Sequence, residues 1–452
     1  MSSALDIAKR ALDRGFRLGA DLEVYFQEGR TTSIKVYGGE VESVAMSEPR
    51  GLGVRAARNG QVGYAFTADL SDGGLDGVLA AAVANVDVTD SDPYASLPPR
   101  ATVPYPSIAG LWRPGVGRLR LEDKVNLALT VERTALASPK VETVEESAYS
   151  DEESRIAICS TTGVEAEAES SFAFVWSQAH AGHDEDRQSG LGYSAARDPQ
   201  ELDAEAAGRE AGEKAAALLG ARPCATGSYT VVFGREVVAA LLSYVAQGLS
   251  ADAVQKGRSV FAGKLKEAIG SSLVVLADDG LAPEGMATNP FDGEGVPRQR
   301  TALLEGGVLQ AYLHSTYTAR KAGENAASTG NAERPSYRAA PKVAATNLVL
   351  TPGSGTLADL AARVGTGLYV ESAAGLHSGV NVVSGEISVG VSGQLIENGV
   401  LGRPVREVTI ATDFLSLLGS VSDLGGDLRW IPIYGSVSTP SVAVQGITVS
   451  GL

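Results

Sequence analysis

The sequence predicts an α+β fold made of three successive units. The first 90 residues place a helix before short alternating segments, the middle of the chain holds Ala- and Glu-rich helical stretches, and the second half is rich in glycine and β-branched residues. Alternation with period two indicates strands, and apolar residues three or four apart indicate helices. We expect a small antiparallel-sheet N-terminal domain with helices, an α+β middle domain and a mostly β C-terminal domain.

Residues 1–90 form the predicted N-terminal domain. An amphipathic helix begins it, and strand-like segments follow as "DLEVYFQEG", "TTSIKVYGG", "EVESVAM", "GLGVRAARNG" and "QVGYAFT". Gly38-Gly39 and Asn59-Gly60 stand between such segments, where a two-residue hairpin turn needs positive φ. A second helix near Gly74 to Asn85 closes the unit.

Residues 91–118 are predicted to be a linker, because "DPYASLPPR", "VPYPS" and "WRPGVG" are too rich in proline for a helix or a central strand. Residues 119–222 form the predicted middle domain. It contains a helical pattern from Leu121 to about Leu136, strand-like pieces from Val141 to about His180, and a helix from Pro199 to Leu219.

Residues 223–452 form the predicted C-terminal domain. Its clearest helix runs from Gly234 to Gly248, where apolar side chains recur at helical spacing and the other face carries almost no reactive group. "LLEGGVL" at 303–309 and "LIENGVL" at 395–401 each have the pattern of a β-hairpin. They are either two hairpins of one sheet or a coincidence of turn chemistry.

Charge and composition exclude several classes of protein. The net charge of −16 repels phosphate backbones, and no basic run with interleaved aromatics is present, so nucleic-acid binding is not expected. The longest apolar stretch, Val237 to Val245, is far too short to cross a membrane. With two cysteines, Cys159 and Cys224, the chain is expected to be a cytoplasmic protein with reduced thiols.

Two histidines, His180 and His183, are the most obvious candidate metal ligands. On a helix they would share a face and could hold zinc. The preceding "SSFAFVWSQA" alternates like a strand that enters a charged loop, which favours a solvated hairpin end. His314 and His377 have no recognisable catalytic partners in the sequence and are interpreted as structural.

Four carboxylates, Asp278, Asp279, Asp292 and Glu294, form a second candidate site. Paired carboxylates serve acid–base catalysis or bind a hard cation. Asp-Asp-Gly and Asp-Gly-Glu-Gly are also strong turn formers, and structural turns are the preferred interpretation.

The segment from Glu324 to Arg334, "ENAASTGNAER", is a candidate for holding an anion or a peptide backbone on its main-chain amides. It lacks the motif of a phosphate loop. Together with the carboxylate turns it yields candidates for a peptide groove or for structural loops: Asp292, Glu294, Ser328, Thr329, Gly330 and Asn331.

Several blocks of the second half resemble the TldD/PmbA family. They include "LSADAVQKGRSVFAGKL", "DDGLAPEGMATNPFDGEGVPRQRTALLEGGVL", "ASTGNAERP", "SGEISVGVSGQLIENGVLGRPVREVTIA" and "PSVAVQGITVSG". The N-terminal "GLGVRAARNGQVGYAFT" fits the first domain of the same family. The resemblance implies a cytoplasmic peptidase complex in which a TldD-type subunit carries zinc and a PmbA-type subunit, also called TldE, carries none.

The resemblance also shows where the catalytic residues of a TldD-type chain are missing. Such chains carry His-Glu-x-x-x-His on the helix that corresponds to 234–248, where this sequence has "LLSYVAQGLSAD". They also carry a late cysteine ligand, but "LRWIPIYGSVSTPS" contains none, and Cys159 and Cys224 lie in other regions. Zinc catalysis needs about three protein ligands and a general base, which Ser243, Tyr244, Ala246 and Gln247 cannot supply.

The resemblance therefore implies a PmbA/TldE-like subunit with no catalytic or metal-binding residues of its own, the zinc being in the partner. It would take part in proteolysis of peptides or unfolded segments with a TldD-like subunit as a heterodimer, or with itself as a homodimer. One alternative is a stand-alone homodimeric peptide-binding or scaffold protein without a catalytic partner. Another is an autonomous hydrolase with a site around Asp278, Asp292 and Glu294.

Overall fold

The protein is described by a computed structural model that covers residues 3–323 and 326–452. The first half contains groups of helices and groups of strands in turn, and the second half is rich in strands with helices between them. The helices are α1 (Ala4–Gly15), α2 (Asp72–Val86), α3 (Gly115–Arg118), α4 (Leu121–Leu136), α5 (Ala204–Ala217), α6 (Arg235–Gly248), α7 (Ala251–Gln255), α8 (Thr316–Ala322), α9 (Leu357–Val364), α10 (Leu376–Gly379) and α11 (Phe414–Gly419).

The strands of the first half are β1 (Asp21–Tyr37), β2 (Glu40–Ser47), β3 (Arg50–Arg58), β4 (Gln61–Thr67), β5 (Val141–Ser160), β6 (Glu165–Ala181) and β7 (Gln188–Ala196). Those of the second half are β8 (Gly227–Phe233), β9 (Leu276–Asp279), β10 (Arg300–Glu305), β11 (Val308–Leu309), β12 (Ala332–Glu333), β13 (Lys342–Val343), β14 (Asn347–Leu350), β15 (Gly367–Ala374), β16 (Glu386–Glu397), β17 (Val400–Asp413), β18 (Val421–Leu424), β19 (Arg429–Ile431), β20 (Ser436–Thr439) and β21 (Val442–Ser450).

Strand β1 is the centre of an antiparallel sheet with the order β4-β3-β1-β5-β6-β7. One edge of β1 pairs first with β3 and then with β2, and its other edge pairs with β5 from Glu23 to Val36. Gly29 lies within β1 instead of ending it. A Cβ atom there would approach the carbonyl oxygen of Glu153 to 2.8 Å, so the close passage of β5 requires glycine.

Helices cover one face of this sheet. Ser3 starts α1 with a capping box, in which its hydroxyl accepts from the Asp6 amide and the Asp6 carboxylate accepts from the Ser3 amide, both at 3.0 Å. The apolar sides of α1 and α2 bury Leu22, Val24 and Phe26 of β1. Helices α4 and α5 cover the other half of the same face, because successive even-numbered residues of β1 point in one direction.

The opposite face of the sheet packs on the second half of the chain through apolar residues and through a set of charged ones. Glu23 and Arg55 are neighbours on β1 and β3, and the Arg55 Nε donates to Glu23 at 2.9 Å. A second nitrogen of Arg55 donates to Glu294 at 2.9 Å, and Arg334 also pairs with Glu23. All four side chains are at most 9% exposed. We name Glu294, Arg55, Glu23 and Arg334 the interdomain charge chain.

The C-terminal half contains two six-stranded sheets. Strands β17-β16-β15-β8-β21 close on themselves because β17 also pairs with β21, and β18 lies beside β21. The second sheet has the order β11-β10-β9-β14-β20-β19. Helix α6 packs against strands of both sheets, and its apolar side chains belong to the largest core cluster of the described residues.

The predicted α+β fold is confirmed, and the structure adds features that the sequence did not predict. The sheet of the N-terminal unit continues into the middle unit through β1 and β5, and α3 lies within the predicted linker. Domain boundaries at 90, 118 and 222 stay a prediction. Both predicted hairpins form, with Gly306-Gly307 and Asn398-Gly399 at positive φ, but they belong to different sheets.

None of the helices within the described residues is long and apolar enough to cross a membrane.

Removing one charge of the interdomain charge chain should destabilise the protein. Glu23→Gln leaves Arg55 and Arg334 buried without their shared counter-charge, and breaking a buried ion pair in this way costs about 3–5 kcal/mol. We expect a lower midpoint of urea unfolding, measured by tryptophan fluorescence.

The matched control is Glu165→Gln, which removes a carboxylate that pairs with Lys9 at an exposed site. Solvent screening makes such pairs nearly neutral, so its midpoint should equal that of the unmodified chain. Equal midpoints for the two variants would contradict a structural role of the chain of charges.

Candidate functional site

A cavity of about 300 Å³ lies beside the C-terminal half of α6. Three segments that are distant in sequence form its wall: the end of α6 with the start of α7, the stretch 343–346 before β14, and the turn between β19 and β20. Its polar side chains are those of Ser243, Gln247, Ser250, Asp252, Thr346, Tyr434 and Ser436.

Helix α6 forms where the sequence predicts it. Gly234 lies in extended conformation before the first turn and accepts the first helical hydrogen bond from the Val238 amide at 3.0 Å. Gly248 ends the helix where a Cβ atom would lie 2.9 Å from the Phe261 ring, so this close packing requires glycine. The helix is a well-packed scaffold whose Ser243 and Gln247 face the cavity, whereas Glu236 in its first turn pairs with Lys214 elsewhere.

The donor atoms of this cavity do not fit a catalytic zinc ion. Hydroxyl and amide groups dominate, and Asp252, the only carboxylate of the cavity lining, pairs with Lys256 at 2.8 Å. The Ser243 hydroxyl donates to the Ala240 carbonyl at 2.7 Å. Zinc sites use cysteine, histidine and carboxylate ligands in sets of three or four. Within residues 3–323 and 326–452, no group of three or more such side chains is placed to hold a metal ion.

The two cysteines lie away from the cavity. Cys159 is a buried residue of β5 in the first sheet, and burial raises the pKa of its thiol to about 12. Cys224 is buried before β8. A thiol with a raised pKa is neither a good nucleophile nor a ready metal ligand.

The predicted site residues Asp292 and Glu294 are both buried. Asp292 accepts hydrogen bonds from the main-chain amides of Glu294, Val296 and Ala332 at 2.9–3.0 Å. Glu294 accepts from Arg55 and from the Thr316 amide at the start of α8, both at 2.9 Å. Their oxygens therefore bind the chain itself, as a structural turn requires.

The pKa values of Asp292 and Glu294 are shifted in opposite directions. Burial, and then the charge of Glu294, raise the pKa of Asp292. Burial acts in the same direction on Glu294, but the charge of Arg55 and the hydrogen bond from Thr316 outweigh it and lower its pKa. Perturbed carboxylates mark catalytic sites and structural networks alike, and here every partner is structural.

Asp278 is joined to the predicted loop residue Asn331. Its carboxylate accepts from the Asn331 side-chain amide at 2.6 Å and from the Thr346 amide at 2.7 Å. Burial raises the pKa of Asp278 to about 6. Asp279 instead caps a turn by accepting from the Leu281 amide at 3.0 Å. Asp278 and Asp292 thus bind separate segments of the chain.

Ser328 and Thr329 hold their loop against His314, which lies just before α8. The Thr329 hydroxyl accepts from the His314 amide at 2.7 Å, and the Ser328 hydroxyl donates to the His314 carbonyl at 3.2 Å. Gly330 has a φ of 76° and packs on Pro297. These contacts describe a structural loop, and a role in a peptide groove stays a prediction. Glu324 and Asn325 of the same predicted segment lie outside the described residues.

The histidines do not form a common site. His180 lies 3.0 Å from Glu145, and His183, beyond the end of β6, lies 3.2 Å from Glu142. Burial lowers the pKa of His314, and His377 is exposed on α10. The predicted solvated hairpin end at His183 agrees with this arrangement.

The sequence did not identify the residues that face α6 across the cavity. Thr346, Tyr434 and Ser436 reach it because β14 and β20 pair in parallel and bring two distant segments side by side. The serine, threonine and tyrosine residues involved have no diagnostic spacing, so no local pattern could have revealed them.

Comparison with protein families places nearly the whole chain in known domains. Residues 226–451 match the model of the PmbA/TldA metallopeptidase C-terminal domain. Residues 22–86 match domain 1 and residues 116–219 match the central domain of the same metallopeptidases.

Individual relatives agree with this result. The metalloprotease PmbA homolog of Haemophilus influenzae is 24% identical over 444 residues, which cover 98% of this chain and 94% of that protein. The crystal structure of a candidate modulator of a DNA gyrase from Thermotoga maritima superposes with a TM-score of 0.90 at 27% identity, covering 98% and 99% of the chains. TldE from Thermococcus kodakarensis shares the fold, with a TM-score of 0.89 at 20% identity and coverage of 98% and 100%.

Buried Asp278 should make stability depend on pH. An unfolded aspartate has a pKa of about 3.9, so the folded protein binds the extra proton between about pH 4 and 6. This contribution is fully present below about pH 4 and is lost as the pH rises to about 6, with a slope of at most about 1.4 kcal/mol per pH unit. Asp292, with its raised pKa, adds a slope of the same sign.

The measurement is a series of urea unfolding curves across this pH range. Asp278→Asn should flatten the dependence, whereas Glu386→Gln, a change at an exposed residue, should leave it as it is. The same slope in the Asp278→Asn variant and the unmodified chain would show that Asp278 does not titrate in this range.

Proposed function

The chain belongs to the PmbA/TldD family of metallopeptidases, and we propose that it serves there as a non-catalytic subunit of the PmbA/TldE type. In this proposal it pairs with a TldD-like subunit that holds the zinc, and the complex hydrolyses peptides or unfolded segments in the cytoplasm. The observation that carries the proposal is the polar side of α6, which offers hydroxyl and amide groups where a zinc peptidase needs ligands and a general base.

The late segment of the chain supports the same proposal. The turn from β19 to β20 closes the cavity opposite α6, and it presents Tyr434, Gly435 and Ser436 without any cysteine. Catalytic ligands are therefore missing on both sides of one cavity. Zinc ligands missing from α6 could be replaced only by ligands from the facing wall of the cavity. Because that wall also lacks them, the two absences together support the proposal more strongly than either alone.

The scaffold around the cavity is well packed, which supports a role in binding. Helix α6 and both C-terminal sheets are well packed, and the family models match residues 22–86, 116–219 and 226–451. A rigid cavity lined by hydroxyl and amide groups is suited to hold substrate for another subunit.

Segment 343–346 offers a place for an extended peptide. Its residues line the cavity just before β14, and the Ala345 amide makes no hydrogen bond to any part of the chain that the structure describes. The neighbouring Ala344 amide, by contrast, donates to the Asn331 carbonyl at 3.0 Å. A main-chain amide without a partner can donate to a carbonyl of an extended peptide that enters the cavity.

The first test is peptide hydrolysis by the purified chain with zinc supplied. We expect no turnover, because the cavity lacks a ligand set. A TldD-like subunit from the same genome, added in equal amount, should bind the chain and yield hydrolysis that a chelator abolishes, with the zinc found in the added subunit by metal analysis of each chain.

Cleavage by the chain alone that a chelator abolishes would overturn the proposal. Failure to bind the TldD-like subunit, together with self-association measured by light scattering, would favour the alternative of a stand-alone homodimeric peptide-binding or scaffold protein.

A second test addresses the Ala345 amide. Ala345→Pro removes this donor, and the loss of one hydrogen bond, worth about 0.5–1.5 kcal/mol, should weaken binding of a fluorescently labelled unfolded peptide about three- to tenfold. Fluorescence anisotropy measures the effect.

Ala345→Ser is the matched control, since it changes the side chain and keeps the amide. Its affinity should equal that of the unmodified chain. Equal affinity for both variants would show that this amide does not pair with the peptide.

A further inference from the structure

A second cavity, of about 110 Å³, lies where α5, α6 and β15 meet. Its wall is largely apolar and is made by Leu191, Leu218, Val237, Ala373, Leu376 and Ile433. Three charged side chains reach it from three elements: Lys214 of α5, Glu236 of α6 and Glu371 of β15. We call it the Glu371 cavity.

The charges around this cavity do not balance. Lys214 donates to Glu210 at 2.9 Å and to Glu236 at 3.0 Å. Arg429 binds both oxygens of Glu210, at 2.6 and 3.0 Å, and lies 3.8 Å from Glu236. Two cations thus serve two carboxylates. Glu371 has no ion-pair or hydrogen-bond partner for its side chain among residues 3–323 and 326–452.

The surroundings of Glu371 make its charge unfavourable without a further cation. Burial raises the pKa of Glu371 to about 7, the carboxylates of Glu236 and Glu210 act in the same direction, and Lys214 opposes them. Tyr434 is the other titratable group in the cavity wall. A carboxylate in a partly apolar cavity either keeps its proton or takes a cationic partner.

We propose that the Glu371 cavity binds a protonated primary amine, whose ammonium group lies between Glu371 and Glu236 and whose carbon chain lies against the apolar wall. Such an amine is the N-terminus of a peptide or the side chain of a lysine. A divalent cation would need about six oxygen ligands, and Lys214 already occupies part of the space beside Glu236.

The Glu371 cavity adjoins the cavity beside α6, where peptide binding is proposed. Tyr434 lines both the Glu371 cavity and the cavity beside α6. A peptide held along segment 343–346 would thus have an amine site next to its path. This connection rests on the proposed function, whereas amine binding itself does not, and the experiment below measures amine binding to the isolated chain.

The test is calorimetric titration of the purified chain with n-butylammonium chloride, compared with the neutral isostere n-butanol. We expect saturable binding of the ammonium compound and at least about tenfold weaker binding of the alcohol, since only the cation can balance Glu371. Near pH 6 binding should release close to one proton, because Glu371 ionises on binding, and near pH 8 it should release none. Titration in two buffers of different ionisation enthalpy measures this release.

Two variants check the assignment. Glu371→Gln should weaken binding at least about tenfold and abolish the proton release, whereas Glu386→Gln on β16 should change neither. Ala373→Leu fills the cavity from its apolar wall with Glu371 in place and should also prevent binding. Circular dichroism confirms that each variant is folded.

Two further ligands identify the source of the amine. Alaninamide presents an α-ammonium group, and N-acetyl-lysine amide presents only the side-chain ammonium, so the tighter ligand names the natural group. Equal binding of butanol and butylammonium, unchanged binding by the folded Glu371→Gln variant, or no binding of any of the amines would overturn the proposal. None of these results depends on a TldD-like subunit, so failure of the proposed function would appear in the hydrolysis assay instead.

Discussion

The interdomain charge chain is the interaction on which the arrangement of the molecule depends. Its four members alternate in sign and are almost fully buried: Glu294, Arg55, Glu23 and Arg334. Each charge is balanced by its neighbour, because a buried charge without a partner would be strongly unfavourable. It joins β1 and β3 of the first sheet to the turn at Glu294 and to the start of α8. Because ion pairs of this kind require specific geometry, they fix the position of the sheet on the C-terminal half in a way that apolar contact alone would not.

Residues of both halves of the chain line the Glu371 cavity, whereas residues of the C-terminal half line the cavity beside α6. The first sheet lies with its helix-free face toward the C-terminal half, and Lys214 of α5 pairs with Glu236 of α6. The cavity beside α6 and the Glu371 cavity then share Tyr434. Helix α6 and its cavity lie in the part of the chain that matches the PmbA/TldA metallopeptidase C-terminal domain.

Carboxylates illustrate why residue type alone does not reveal function. A possible acid–base set was predicted at Asp278, Asp292 and Glu294. In the structure each of these carboxylates accepts hydrogen bonds from main-chain amides or from arginine. Glu371 has no distinctive motif in the sequence, yet its carboxylate lines a cavity and has no partner in the described part of the chain. The difference lies in hydrogen-bond satisfaction, which depends on distant segments and has no local signature.

Local chemistry was enough to predict much of the fold. Gly-Gly and Asn-Gly turns located the hairpins, and helical spacing located α4 and α6. Long-range pairing could not be predicted: β1 runs through Gly29 and joins β5, the two similar hairpins lie in different sheets, and β14 meets β20 in parallel. Turns and helices are decided by residues a few positions apart, whereas strand partners, buried ion pairs and cavities depend on contacts between residues far apart in the chain.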